Sequence, residues 1–325
     1  MSTSLDEAVT ELRKQFGERI LMTLGDEPLA IPVISTGSLA IDCALGVGGV
    51  PRSRITEIYG PEGGGKTTLA LHIAAEAQKL GGVAVYIDME HAVDLPYMQA
   101  IGVDISAVLF SQPNSGIDAL NVVRKLVASN VVDVIVVDSV AALSAPMELD
   151  ADAGDQFMGV QARMMSQNLK VIAPILGLSK TALVFTNQTR MRIGVMYGNP
   201  EISSGGYALK FYSSVRLRIS RVGVLGSKGK EFGIRSRVKV VKNKVAAPWQ
   251  QAEIDIVWGE GISYEADVLA VGMQAGICTQ AGGWYTYGET KLGHGREAAK
   301  AYLTEHSDLT AEIREKALAP SQEEE

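Results

Sequence analysis

Cysteine is nearly missing from this chain: 2 among 325 residues, Cys43 and Cys278, far apart and in no metal-ligand spacing. Their scarcity excludes a disulfide framework and a zinc-ribbon architecture, and predicts two buried, reduced thiols in a cytoplasmic protein. Histidine is also scarce. His72, His91, His294 and His306 form no local cluster, so the sequence predicts no zinc site. No apolar run approaches the roughly 20 residues that span a bilayer, and Met1-Ser2-Thr3-Ser4-Leu5-Asp6-Glu7 lacks a leader pattern. No membrane partner is therefore expected. Excess positive charge is missing too, the formal net charge being −7. Alone this argues weakly against nucleic acid, but a global sum says little about a local patch.

Other features are abundant. Hydrophobic residues make up 46% and charged residues 21%, the balance of an ordinary globular protein. The length suits one large domain with satellites. Glycine is plentiful at 34 residues, and one cluster of it is decisive. Gly60-Pro61-Glu62-Gly63-Gly64-Gly65-Lys66-Thr67 is a complete G-x-x-x-x-G-K-[ST] phosphate-binding loop, followed by Thr68. It lies between a strand-like stretch, Ile55 to Tyr59, and a helix-like one, Lys66 to Leu80, as the motif requires. Backbone N–H groups and a helix N-terminus would cradle an anion there. Lys66 is expected to reach the β- and γ-phosphates of ATP, and the Thr67 hydroxyl to hold Mg²⁺.

The apolar run Val131 to Asp138 ends in a carboxylate about 70 residues after the loop and just before Ser139. Asp138 is thus the second expected metal-orienting residue. Glu90 follows another apolar run, Val83 to Asp88. A parallel sheet would put it on the rim that carries the phosphate loop, where a carboxylate polarises water. A plain surface glutamate is the other reading of that position, and strand order alone leaves both open. A third run, Thr181 to Thr186, ends in Asn187-Gln188, and an amide there is suited to sensing a γ-phosphate. Thr189 to Tyr207 is glycine-rich and polar, with Gly194, Gly198, Gly205 and Gly206. From Thr189 to Arg221 the charges are Arg190, Arg192, Lys210, Arg216, Arg218 and Arg221 against Glu201 alone. A long basic segment without periodicity, joined to such a sensor, suggests nucleotide state controlling loop order.

Continuous apolar runs fit parallel strands covered on both faces. Val215 to Ile219 and Ala252 to Trp258 alternate instead and are expected to be antiparallel with one wet face. An amphipathic helix is predicted over 5–17 from Leu5, Ala8, Val9, Leu12 and Phe16. Packing on its own domain and docking on a neighbouring subunit both remain open for it. After Gly261 come short helical segments, one near 296–304, and a hairpin-like Gly282 to Gly288, which suggest a small appended domain. Ser321 to Glu325 is a short acidic tail.

Longer strings carry a family resemblance. Ser35-Thr36-Gly37-Ser38-Leu39, Ile87-Asp88-Met89-Glu90-His91-Ala92, Val134 to Leu143, Ala162 to Gln167, Ile193 to Glu201 and Val240-Val241-Lys242-Asn243-Lys244 resemble the bacterial RecA family of DNA strand-exchange recombinases, from about residue 10 to about residue 318. The resemblance implies an α/β fold. It has a RecA-type P-loop ATPase core over 31–262 with a mixed, mostly parallel sheet flanked by helices. An N-terminal polymerisation segment (1–30), a small α+β C-terminal domain (263–320) and an acidic tail (321–325) complete it.

The resemblance also implies roles. Glu90 is the catalytic glutamate and Gln188 the γ-phosphate sensor. Asp94 and Tyr97 hold the adenine, Trp258 covers the base, and Lys242 and Lys244 reach the ATP of the next protomer in a helical filament. Two loops, about 149–159 and 189–209, bind single- and double-stranded DNA. Arg163, Ser166, Lys170, Arg190 and Arg192 meet phosphates, and Met158 and Ile193 wedge between bases. Gly159, Gly194, Val195, Gly205 and Gly206 belong to the same DNA-binding set. The filament would also promote self-cleavage of an SOS repressor. A ring-shaped DNA-unwinding motor and a DNA scaffold switched by ATP are the rival readings. Against the common family pattern, Gly63-Gly64 replaces Ser-Ser, and Tyr207, Ser220 and Gln280 replace Asn, a basic residue and Lys.

Overall fold

The computed structural model describes residues 3–17, 21, 31–144, 159–191 and 201–318, with backbone alone at 190–191 and 201–203. The chain forms two compact units, Met1–Pro32 and Val33–Glu325. The first contains the helix Thr3–Phe16, close to the predicted span. Arg13 donates to the carbonyl of Leu21 (Nη2, 3.0 Å) beyond its C-terminus.

Among its described residues the second unit supplies fifteen strands: β1 Val33–Ile34, β2 Val50–Pro51, β3 Ile55–Gly60, β4 Ala84–Asp88, β5 Leu109–Ser111, β6 Val134–Asp138, β7 Ala182–Met191, β8 Glu201–Ser203, β9 Val215–Ser227, β10 Lys230–Asn243, β11 Gln251–Val257, β12 Gly261–Ile262, β13 Cys278–Ala281, β14 Trp284–Tyr287 and β15 Thr290–His294. The main sheet runs β12-β11-β10-β9-β3-β7-β6-β4-β5, with β8 on β7. From β9 to β5 neighbours are parallel, and from β9 to β12 antiparallel. The expectation that Val215 to Ile219 is purely antiparallel is therefore corrected. β9 joins the two halves, parallel to β3 on one side and antiparallel to β10 on the other.

β4 and β6 are buried along their whole length, because helices cover both faces. The even-numbered Ala84, Tyr86, Val134, Val136, Ala182 and Val184 face the helix Lys66–Lys79 through Leu69 and Ile73. The odd-numbered Val85, Ile87, Ile135, Val137, Leu183 and Phe185 face the helices Gly116–Ser129 and Val160–Leu176. β6 starts later than its apolar run suggests. Val131 is exposed, and Asp133 takes bonds from Arg52, Lys180 and the Val83 amide at the sheet's lower edge. No helix among the described residues is long and apolar enough to cross a membrane.

The helices Tyr264–Gln274, Arg296–Glu305 and Ser307–Leu318 pack with β13–β15 around Val268, Leu269, Leu292, Leu303 and Ile313. Gly282–Gly283 is the turn between β13 and β14, so the hairpin-like stretch is the middle strand of three. Cys278 is buried in this cluster, as expected, but Cys43 is exposed. The helix Leu39–Leu45 buries Ile41, Asp42, Ala44 and Leu45 and turns the intervening Cys43 outward.

Asp267 ties this region to the core. It is fully buried, and its Oδ2 accepts from the Ser38 hydroxyl and the Ala40 amide, while Oδ1 has no partner among the described residues. Burial pushes its pKa up to about 7. The folded protein therefore holds a proton that the unfolded chain releases near its ordinary value of 3.8. Its contribution to stability is greatest below that ordinary value and is lost as pH rises to about 7. Asp42, raised to about 6 by burial, acts in the same sense. Asp267→Asn cannot ionise. Its unfolding midpoint should gain roughly 5 °C on the parent's between about pH 5 and about pH 8. Parallel curves for the two proteins would show that Asp267 titrates normally.

Candidate active site

The phosphate loop joins β3 to the helix Lys66–Lys79, and its glycines answer to close packing. A side chain at Gly60 would strike the Ile219 carbonyl of β9 at 1.9 Å. Gly65, at φ +93°, caps the helix with its α-carbon against Ile256 of β11, where a Cβ would lie 2.3 Å from Cδ1. Ser236 of β10 donates to the Gly64 carbonyl at 2.9 Å. The antiparallel half of the sheet thus props up the loop. Lys66 Nζ donates to the Pro61 carbonyl at 2.8 Å, and burial lowers its pKa against the pull of Asp138, Glu90 and Glu62.

Beside β3 come β7, β6 and β4, each ending at the same rim. Thr67 Oγ1 donates to Asp138 Oδ2 at 2.7 Å, which brings the two expected metal residues together. Two further hydroxyls reach the same carboxylate, Tyr86 Oη to Oδ2 at 2.8 Å and Thr186 Oγ1 to Oδ1 at 2.5 Å. Burial pushes the Tyr86 phenol far above its ordinary pKa, so it stays a donor. A hydroxyl next to a buried carboxylate at a helix N-terminus that bears Lys66 is a donor set for hydrated Mg²⁺ and a nucleotide phosphate, and the residues present fit that pair.

Glu90 is held from three directions. Its amide donates to Asp88 Oδ1 at 3.0 Å, which shapes the turn after β4. Its Oε1 accepts from Ser139 Oγ at 2.5 Å and from Gln188 Nε2 at 3.0 Å. The residues expected to activate water and to sense phosphate are thus in direct contact. Next to Gln188, Asn187 Nδ2 donates to Glu57 Oε1 and to the Ser204 carbonyl, both at 3.0 Å. Glu57 is completely buried and paired with Arg216 Nε at 2.5 Å.

On the outer side, Asp94 caps the helix Leu95–Ile101 through the Tyr97 amide, and the Tyr97 hydroxyl lies 2.8 Å from Thr68 Oγ1. These two residues thereby border the phosphate loop. Trp258 is exposed on the turn after β11. Lys242 Nζ donates to the carbonyls of Lys210 and Phe211 within its own chain, and Lys244 is exposed.

Arg163, Ser166 and Lys170 fall on one exposed stripe of the helix Val160–Leu176, opposite the buried Met164, Met165, Leu169 and Ile172. Gly159 caps that helix at φ +81°. Gly205 and Gly206 lie where added Cβ atoms would meet Val140 and Ala162 at 2.9 and 2.7 Å. The exit of the second loop therefore rests against the helix that bears Arg163. Met158, Arg192, Ile193, Gly194, Val195 and the side chain of Arg190 lie outside the described residues, as does the 321–325 tail.

Sequence reasoning missed Tyr86, Thr186 and the Glu57–Arg216 pair. The last left a signal, a glutamate inside an apolar strand. The first two left none, since each reads as part of an apolar run.

A phosphate loop, a buried carboxylate on the next strand but one, and a glutamate touching a side-chain amide on the same rim define a P-loop ATPase. The RecA N-terminal domain model matches residues 3–263, and the RecA C-terminal domain model residues 266–319. The chain is 50% identical over 323 residues to Protein RecA of Citrifermentans bemidjiense, covering 98% of this chain and 95% of that one. It is 51% identical to that of Thermus aquaticus (97% and 93% covered) and 53% identical to that of Chlorobium chlorochromatii (95% and 88% covered). The chain belongs to the RecA family of DNA-dependent, Mg²⁺-requiring ATPases, which assemble as filaments on DNA.

Proposed function

We propose that this chain is a cytoplasmic recombinase that uses Glu90 as the base for ATP hydrolysis and Gln188 as the link between nucleotide and DNA. It polymerises on single-stranded DNA, pairs that strand with homologous duplex and exchanges strands. The filament also promotes self-cleavage of an SOS repressor. The observation that carries the reading is the Gln188–Glu90 contact at 3.0 Å, one residue from the Asn187–Ser204 contact at the root of the second loop.

Mg²⁺ and ATP, when bound, supply charge neutralisation and a leaving group. The chain's own residues do the rest. The loop amides and Lys66 hold phosphate oxygens, Thr67 and Asp138 orient the cation, and Glu90 accepts a proton from water. Gln188 occupies one Glu90 oxygen together with Ser139, and must re-aim before that oxygen takes a proton. Ser204 N donates to the Gln188 carbonyl at 3.3 Å, so ordering the loop on DNA acts on Gln188 directly.

Asp94, Tyr97 and Trp258 would surround the base. Lys242 and Lys244 would exchange carbonyl or solvent partners for the neighbouring protomer's nucleotide. Arg163, Ser166, Lys170, Arg190 and Arg192 would meet DNA phosphates. We assign 1–30 to polymerisation, 31–262 to the ATPase core and 263–320 to a small C-terminal domain.

The test is a joint-molecule assay with circular single strands and homologous linear duplex. Products that require ATP and homology are expected, with continuous helical filaments in electron micrographs. Closed rings, or DNA binding without joint molecules, would overturn the reading in favour of a motor or a scaffold.

A further inference from the structure

The Asp138 carboxylate is gripped from both neighbouring strands. Tyr86 reaches Oδ2 from β4 and Thr186 reaches Oδ1 from β7, while the phosphate-loop Thr67 shares Oδ2. Tyr86 is 3% exposed and Thr186 0%, so bulk water does not replace either hydroxyl. The Thr186 hydroxyl has one longer contact, the Val137 carbonyl at 3.4 Å. Strand alternation requires this arrangement. Ala84 and Tyr86 of β4, Val134 and Val136 of β6, and Ala182 and Val184 of β7 all pack on the face of the Lys66–Lys79 helix. Thr186 and Asp138 continue those rows at the carboxyl ends of their strands.

An ionised carboxylate has about four acceptor sites. Tyr86 and Thr186 fill one on each oxygen, and both are anchored in strands. Thr67 fills a third, but its hydroxyl is the group that must turn to a cation. When it turns, it frees an acceptor site on Oδ2, on the side facing the phosphate loop.

We infer that Tyr86 and Thr186 are positioning residues that clamp Asp138 from both sides, so that this freed site points at the metal's water. The inference rests on Asp138 being the metal-orienting carboxylate. Groups that orient a metal-binding residue typically change metal affinity by about 10- to 100-fold when removed.

The test uses Mn²⁺ as the probe, with its binding to the ADP-loaded protein followed by electron paramagnetic resonance. Tyr86→Phe and Thr186→Val each delete one hydroxyl with little change of shape. Thr186→Ser keeps the hydroxyl. Asp138→Asn tests the underlying reading. Tyr86→Phe and Thr186→Val should each weaken Mn²⁺ binding by about 10-fold, and Thr186→Ser should stay within about 3-fold of the parent. ADP binding in chelator should be unchanged in all three. The Mg²⁺ needed for half-maximal ATPase should rise by the same factor, with the rate at saturating Mg²⁺ nearly kept.

Unchanged Mn²⁺ affinity in the hydroxyl-deleted variants, with Asp138→Asn weakened, would overturn the clamp alone. Unchanged affinity in Asp138→Asn as well would overturn the metal reading beneath it. Equal losses in Thr186→Ser and Thr186→Val would assign the effect to side-chain shape and also overturn the clamp. Each strand is tested separately, so a variant that fails to fold leaves the other to decide.

Discussion

Glu90→Gln is expected to bind ATP and assemble on single-stranded DNA like its parent while hydrolysing ATP roughly 10²-fold or more slowly. The substitution keeps the shape and the acceptor oxygen on which Ser139 and Gln188 converge, so the turn held by Asp88 should survive. On the proposed mechanism, what disappears is the group that takes a proton from water. On the proposed roles, phosphate binding belongs to the loop amides and Lys66, so affinity should be spared. The measurement is DNA-stimulated ATPase at saturating ATP, alongside nucleotide affinity from a fluorescent analogue. A variant that turns over at the parental rate with DNA present would remove Glu90 from the chemistry. One that loses affinity in proportion to rate would make it a binding residue.

Much of this site is legible in short strings because its chemistry sits at strand ends. Asp138, Glu90 and Gln188 each follow a buried apolar run. Once those runs are parallel and adjacent, their ends must meet on one rim. The strand order that seats β7 between β3 and β6 was not readable from the runs themselves. Nor was the dual pairing of β9, because alternation reports which face is wet and says nothing of the neighbour's direction. Tyr86 and Thr186 were hidden for a related reason. In a strand covered on both faces a tyrosine or threonine counts as one more apolar residue. Its hydroxyl gains meaning only when Asp138, 52 and 48 residues away, is brought beside it. Cys43 went wrong through composition. Cysteines are buried on average, but the face of a short helix decides the single case.

The Glu57–Arg216 pair carries the largest expected effect on stability. Glu57 is completely buried, and its two oxygens take Arg216 Nε at 2.5 Å and Asn187 Nδ2 at 3.0 Å. The Arg216 guanidinium also lies 4.3 Å from the centre of the Tyr59 ring. The pairing follows from register, since Glu57 of β3 and Arg216 of β9 are direct neighbours across a parallel ladder. Arg216→Ala would strand a buried carboxylate that keeps the neutral Asn187 amide as a donor, a change that typically costs about 3–5 kcal/mol. For a unit of this size the unfolding midpoint should fall by roughly 10 °C. Replacing both charges, as in Glu57→Leu/Arg216→Met, should restore a large part of that loss, because two apolar side chains need no partner. The double variant should nevertheless stay impaired in DNA-stimulated hydrolysis. It removes the carboxylate that holds Asn187, and Asn187 in turn holds the Ser204 carbonyl beside Gln188. Stability and coupling are thereby separable. A double variant that recovers both would confine Glu57 to packing, and an Arg216→Ala protein that melts within about 1 °C of its parent would show that the pair contributes nothing net to the fold.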